Sequence, residues 1–83
     1  METLADHVIE TLRHHPLDTW LETLRTRYKY KTDREYKNTL IMISADYERE
    51  KERYEDGRVN EDQFIQKEAN IRHRLIDFIE RNI

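Results

Sequence analysis

The sequence contains no cysteine, one glycine and one proline among its 83 residues. The absence of cysteine excludes disulfide bridges, thiolate zinc sites and thiol nucleophiles. A single glycine excludes the glycine-rich loops that cradle phosphate groups, because those loops need several glycines close together. Sheet-rich folds need glycine and proline at their many turns. The scarcity of both residues therefore favours a few long helices in one small domain spanning residues 1–83.

Long apolar runs are also missing. The longest run, at residues 40–43, has four residues, whereas a helix needs roughly 20 to span a bilayer. Residues 1–6 lack the basic and apolar regions of a signal peptide. We therefore expect no membrane contact and a cytoplasmic location.

Apolar spacing predicts four helices, at about residues 3–14, 17–29, 33–56 and 61–82. Pro16 separates the first two, because the residue before a proline is pushed out of the α region. Thr3 is expected to cap the first helix. Thr32 and Glu35 have the spacing of a capping box at the start of the third. The stretch 25–31 loses the apolar rhythm, so we expect a helix end followed by a linker.

The turn between the two long helices carries the most specific local signal. Gly57 stands where a residue with positive φ is wanted after a helix end. Asn60 and Gln63 form an expected capping pair, and Val59 with Phe64 an expected hydrophobic staple. These signals together predict a helical hairpin.

The apolar positions also predict the register of this hairpin. A turn centred near residue 59 sets apolar residues opposite each other in four successive pairs: Tyr54 with Phe64, Tyr47 with Ile71, Ile43 with Leu75, and Leu40 with Phe78. The N-terminal helices are expected to cover Ile41, Ile65 and Ile79. The predicted fold is all-α, a compact four-helix arrangement with two short N-terminal helices packed on a long antiparallel helical hairpin.

Candidate catalytic or metal-binding sets are not evident. The histidines lack the spacing of ligands, and Ser44 lies among apolar residues without a supporting base. The acidic residues of the third helix alternate with Arg and Lys at i,i+3 and i,i+4, which is typical of an exposed face. We expect no enzymatic activity, no metal and no cofactor.

Basic residues are concentrated in one stretch of the chain. Residues 25–37 hold six of them against two acids, a net +4, which leaves −7 on the remainder of a chain whose net charge is −3. The basic residues are Arg25, Arg27, Lys29, Lys31, Arg34 and Lys37. We call this set the basic strip.

The basic strip has three interpretations. It can be a solvated linker at a helix C-terminus, where the helix dipole favours cations. It can also dock on an acidic counter-surface of another copy, for which the candidates are Glu48, Glu52, Glu55 and Asp56. The interleaved Tyr28, Tyr30 and Tyr36 would suit stacking on nucleic acid, but the strip is short and the chain acidic overall.

Three segments carry a family resemblance. They are Ile-Ser-Ala-Asp-Tyr at 43–47, Gly-Arg-Val-Asn at 57–60, and Asn-Ile with Leu-Ile-Asp-Phe-Ile between 70 and 79. With them, residues 36–83 resemble the effector-associated domains of bacterial conflict systems, in particular the eleventh type. The first 35 residues match only in carrying short helices.

The resemblance implies a non-enzymatic adaptor that pairs with a like domain on another chain, or with its own copies as a homo-oligomer, to recruit an effector. It transfers no active site. The matching apolar and turn positions are expected to be fold determinants, together with the facing residues of the hairpin: Leu40, Ile43, Tyr47, Gly57, Val59, Phe64, Ile71, Leu75 and Phe78. The alternative function is a small nucleic-acid-binding module that uses residues 25–37.

Overall fold

The computed structural model describes residues 2–83, which are helical along most of their length and contain no strand. Five helices follow in chain order: α1 Leu4–Leu12, α2 Leu17–Arg25, α3 Tyr28–Thr32, α4 Arg34–Glu55 and α5 Glu61–Asn82. The all-α class is confirmed, and α5 has the predicted bounds.

The number of helices differs from the prediction. Residues 28–32 form the separate helix α3 where we expected a helix end and a linker, α1 ends at Leu12, and α2 ends at Arg25. The helix α3 has five residues and none of them is buried. It therefore leaves no apolar periodicity in the sequence.

The cap of α4 also differs from the prediction. The carboxylate of Asp33 accepts a hydrogen bond from the Tyr36 backbone N–H at 3.1 Å, so Asp33 is the N-cap. Thr32 still belongs to α3, where its hydroxyl donates to the carbonyl oxygen of Tyr28 at 3.3 Å. The predicted Thr32–Glu35 capping box is therefore wrong by one residue.

Two other helix starts are capped as expected. Thr3 caps α1, and the Asp6 carboxylate accepts from its backbone N–H, which completes a capping box. Asn60 and Gln63 form the same reciprocal pair at the start of α5, with N···O distances of 2.8 and 3.0 Å. Each box satisfies two donors that a helix end otherwise leaves without a partner.

Gly57 closes α4 with a φ of +75°. Its N–H donates to the carbonyl of Tyr54 at 3.1 Å, and the N–H of Arg58 donates to that of Arg53 at 2.9 Å. These two bonds define a Schellman motif, which needs the left-handed conformation that glycine adopts without strain. The prediction for Gly57 is confirmed.

The hairpin of α4 and α5 contributes about half of the buried apolar residues of the core. Near the turn the rings of Tyr54 and Phe64 lie 4.6 Å apart, as the predicted register requires. Farther along, Arg74 Nη1 donates to Asp46 Oδ2 at 2.7 Å. The other six residues of the predicted pairs are all buried: Leu40, Ile43, Tyr47, Ile71, Leu75 and Phe78. Val59 and Phe64 are half-buried.

The short helices pack on the hairpin in different places. The helix α1 contacts α5, α2 contacts both long helices, and α3 contacts α4. Trp20 of α2 is 1% exposed, its indole N–H donates to the carbonyl of His15 at 3.1 Å, and the Arg72 guanidinium lies 5.7 Å from its ring centre. Lys51 of α4 reaches Asp18 of α2 at 3.4 Å. The helices α1, α2, α4 and α5 therefore all contribute buried residues to one core.

The predicted cover is only partly formed. Ile79 is fully buried, but Ile41 remains 47% exposed and Ile65 53% exposed. The helices α1 and α2 have nine residues each, and their contacts with the hairpin leave these two side chains partly exposed. The prediction was therefore wrong for Ile41 and Ile65.

Candidate interaction surface

The basic strip begins with two residues that serve the fold itself. Arg25 donates to the hydroxyl oxygen of Ser44 at 2.5 Å and lies 3.7 Å from the carboxylate of Glu22. Lys29 donates to the carbonyl of Asn82 at 2.9 Å, at the C-terminal end of α5 where the helix dipole favours a cation. Both side chains hold separate helices together, a role that the sequence did not reveal.

The other residues of the strip are free of ion pairs among the described residues. Lys31, Arg34 and Lys37 are exposed, whereas Arg27 is half-buried. The ammonium group of Lys37 lies 5.6 Å from the ring centre of Tyr30. An exposed basic surface therefore begins at α3 and continues over the first turns of α4.

The tyrosines of this stretch do not form the stacking strip that the nucleic-acid interpretation needs. Tyr36 is 1% exposed, and its hydroxyl donates to the carbonyl of Leu24 at 2.9 Å. Burial raises the pKa of this phenol, and the charge of Arg27 partly offsets the rise. Tyr30 is half-buried, and only Tyr28 presents its ring to solvent, with 79% exposed. One ring of three is thus available to a nucleic acid base.

The acidic counter-surface lies on the second half of α4 and its C-cap. Glu48, Glu52, Glu55 and Asp56 are all exposed. None of them forms an ion pair within residues 2–83, whereas nearby Asp46 pairs with Arg74 and Arg49. The two predicted surfaces therefore carry opposite charges that the described part of the chain leaves largely unneutralised.

Both surfaces contribute residues to one face of α4, at its opposite ends. Residues spaced by four and three along this helix share a face, and one such series is exposed throughout: Arg34, Asn38, Ile41, Ala45, Glu48, Glu52 and Glu55. We call this series the outer stripe. It spans about 32 Å at 1.5 Å per residue. The spacing of these residues can be read from the sequence. The stripe was not predicted as a surface, because Ile41 was expected to lie under the N-terminal helices.

The outer stripe borders a shallow cleft between α4 and the preceding helices. Ile41, Ala45 and Glu48 form one wall, and Arg25 and Tyr30 belong to the other. The exposed half of the Ile41 side chain therefore lies at the edge of a depression rather than on a flat surface. Such a depression can receive side chains from another helix.

No group of three or more His, Cys, Asp or Glu side chains within 2–83 is arranged to hold a metal ion. In the same range no helix combines the length and apolar character needed to cross a membrane. The histidines are all exposed.

Comparison with known proteins relates the chain to a family. A family model described as effector-associated domain 11 matches residues 3–81. The match includes α1, α2 and α3, so it is wider than the stretch 36–83 that carries the resemblance in the sequence. No curated protein and no solved structure gave a match.

Proposed function

Because the chain belongs to the effector-associated domain 11 family, we propose that it is a non-enzymatic adaptor. It pairs with a like domain and thereby brings an effector to its partner in a bacterial conflict system. The pairing takes place between two folded domains. The proposal also includes a cytoplasmic location.

One observation supports pairing above all. Lys31 of α3, Arg34 and Lys37 at the start of α4, and the acidic counter-surface at the other end of α4 make no ion pairs among the described residues. Surfaces of opposite sign steer association and fix the orientation of partners, and they exclude partners of like charge. A domain that carries both signs on separate surfaces can bind a domain built in the same way.

Light scattering provides the test. The domain should associate with itself, or with another domain of the same family from the same operon, and the association should weaken as salt is added. Charges on exposed surfaces are screened beyond about 8 Å at 0.15 M salt. A domain that stays monomeric at every concentration and binds no like domain would contradict the proposal.

Nucleic-acid binding is the second candidate, and the exposure of Tyr28 favours it. The ring is 79% exposed and stands between Arg27 and Lys29 in the chain. Stacking on one ring with phosphate contacts to Lys31 and Arg34 would give weak binding that falls steeply with salt. A gel shift with single-stranded RNA and DNA at low salt tests it, and no shift would remove this candidate.

A further inference from the structure

The outer stripe of α4 changes character along its length. It is basic at the N-terminal end, where Lys31 and Lys37 lie close in the chain to Arg34. It is apolar in the middle, at Ile41 and Ala45. The C-terminal end is acidic, with Glu48, Glu52 and Glu55. All seven side chains of the stripe face solvent.

Along the stripe, this order is the reverse of what the dipole of α4 favours, although the helix also carries Glu35 in its first turn and Arg53 in its last turn. The helix dipole disfavours a cation in the first turn, where Arg34 lies, and an anion in the last turn, where Glu55 lies. The order of charges along the stripe is complementary to that of a second copy of α4 that runs antiparallel.

We propose that two copies of the chain pair through their outer stripes, antiparallel and related by a twofold axis near residue 43. This inference rests on the proposed pairing of like domains and names the surface that carries it. Ile41 lies against Ala45 of the second copy, Arg34 faces Glu52 of the second copy, and Asn38 faces Glu48 of the second copy. The twofold axis repeats each contact, so a single interface satisfies both charged ends.

Other arrangements of the same stripe fit less well. A parallel copy would set the basic ends against each other and the acidic ends against each other, and like charges in contact repel. A head-to-tail arrangement would satisfy the charges at each junction but leave the apolar middle at Ile41 in water. The antiparallel pair alone covers Ile41 and matches the charges. Its helices would pack like those of a coiled coil, with axes about 8–10 Å apart.

Charge reversal in solution tests the proposal. The variants are Arg34→Glu, Glu52→Arg and the double variant, each compared with the natural chain by sedimentation equilibrium at low salt. Each single reversal should weaken dimerisation by about tenfold or more, because the repulsive pair occurs twice in the dimer. The double variant should restore dimerisation to within about threefold, as should an equimolar mixture of the two single variants.

Lys67→Glu is the matched control, since Lys67 is exposed on α5, forms no ion pair among the described residues and undergoes the same change of charge as Arg34. It should leave the dimer unchanged. Circular dichroism verifies that each variant is folded.

The outcomes separate this inference from the proposed function. If Arg34→Glu dimerises as well as the natural chain, the stripe is not the interface, although the pairing of like domains stands. Failure of the double variant to recover, or growth beyond a dimer as concentration rises, would also overturn the twofold arrangement. A natural chain that is monomeric throughout and binds no like domain would overturn both.

Discussion

The phenolic hydroxyl of Tyr36 donates a hydrogen bond to the backbone carbonyl of Leu24 at 2.9 Å. Leu24 lies in the last turn of α2, where carbonyl groups have no partner within their own helix. A side chain in the first turn of α4 thus supplies a hydrogen-bond donor to a carbonyl group at the end of α2. The helix α3 lies between these two residues in the chain. The ring of Tyr36 also lies 4.7 Å from that of Phe78 on α5. One residue therefore joins three helices.

Replacement of Tyr36 by Phe should lower the stability of the fold. The ring remains in place, but the buried carbonyl of Leu24 loses its donor, which costs about 1–3 kcal/mol. The free energy of unfolding in urea measures the loss. Tyr28→Phe is the matched control, because its ring is 79% exposed and its hydroxyl has no partner among the described residues. Equal stability of the two variants would contradict the role of the hydrogen bond.

Alkaline pH should destabilise the domain. Burial raises the pKa of Tyr36 and of Tyr47 above the ordinary value of 10.0; nearby acidic groups, first Asp18, raise that of Tyr47 further. A phenol with a higher pKa in the folded state favours folding while it is neutral. Its contribution is complete below about pH 10 and is lost as the pH rises through the folded pKa.

The urea midpoint, measured from pH 8 to pH 11, checks this dependence. It should stay level at first and then fall above about pH 10. The double variant Tyr36→Phe with Tyr47→Phe should fall less steeply from its own lower starting value. An identical fall in the double variant would assign the effect to groups other than these phenols.

Gly57→Ala should destabilise the turn between α4 and α5. A residue with a Cβ costs roughly 1–2 kcal/mol in the left-handed conformation that the φ of +75° requires. A Cβ at this position would meet nothing within 4 Å, so the loss comes from the backbone alone. Gly57→Asn should lose less, since asparagine tolerates this conformation. Thermal unfolding of both variants measures the difference, and a larger loss for Asn would refute the argument.

The ion pair of Asp46 and Arg74 should contribute little despite its 2.7 Å distance. The side chains are 37% and 45% exposed, so water screens the pair. A double-mutant cycle with Asp46→Asn and Arg74→Gln should give a coupling of about 0.2–1 kcal/mol that decreases in 1 M salt. A coupling several times larger, or one that salt leaves unchanged, would show that the pair is less hydrated than its exposure indicates.

The hairpin could be predicted because its signals are local and agree with one another. Gly57, Asn60 and Gln63 each specify one end of a helix through bonds to residues within five positions. The apolar series on both sides then fixes which faces meet, and the contact of Tyr54 with Phe64 follows from that register. For this turn, the information is contained in one short stretch of the chain.

The remaining features depend on contacts between distant residues. The helix α3 buries no residue of its own, and it is held by the bond from Lys29 to the carbonyl of Asn82, 53 positions away. The sequence shows Lys29 only as one charge among six. Arg25 likewise gave no sign of its bond to Ser44. The sequence therefore predicted the candidate site only as a pattern of charges. The fold was needed to show which basic side chains bond to other helices and which remain exposed.

Trp20 gives this chain a single built-in optical probe. It is the only tryptophan of the chain. It lies on α2, is 1% exposed, and has the Arg72 guanidinium of α5 near its ring. Its fluorescence should change when the core unfolds. A partner bound to the outer stripe of α4 should leave the fluorescence unchanged, because the buried indole is not part of that surface. Unfolding and association can therefore be followed in one sample without a label, the first by emission and the second by mass.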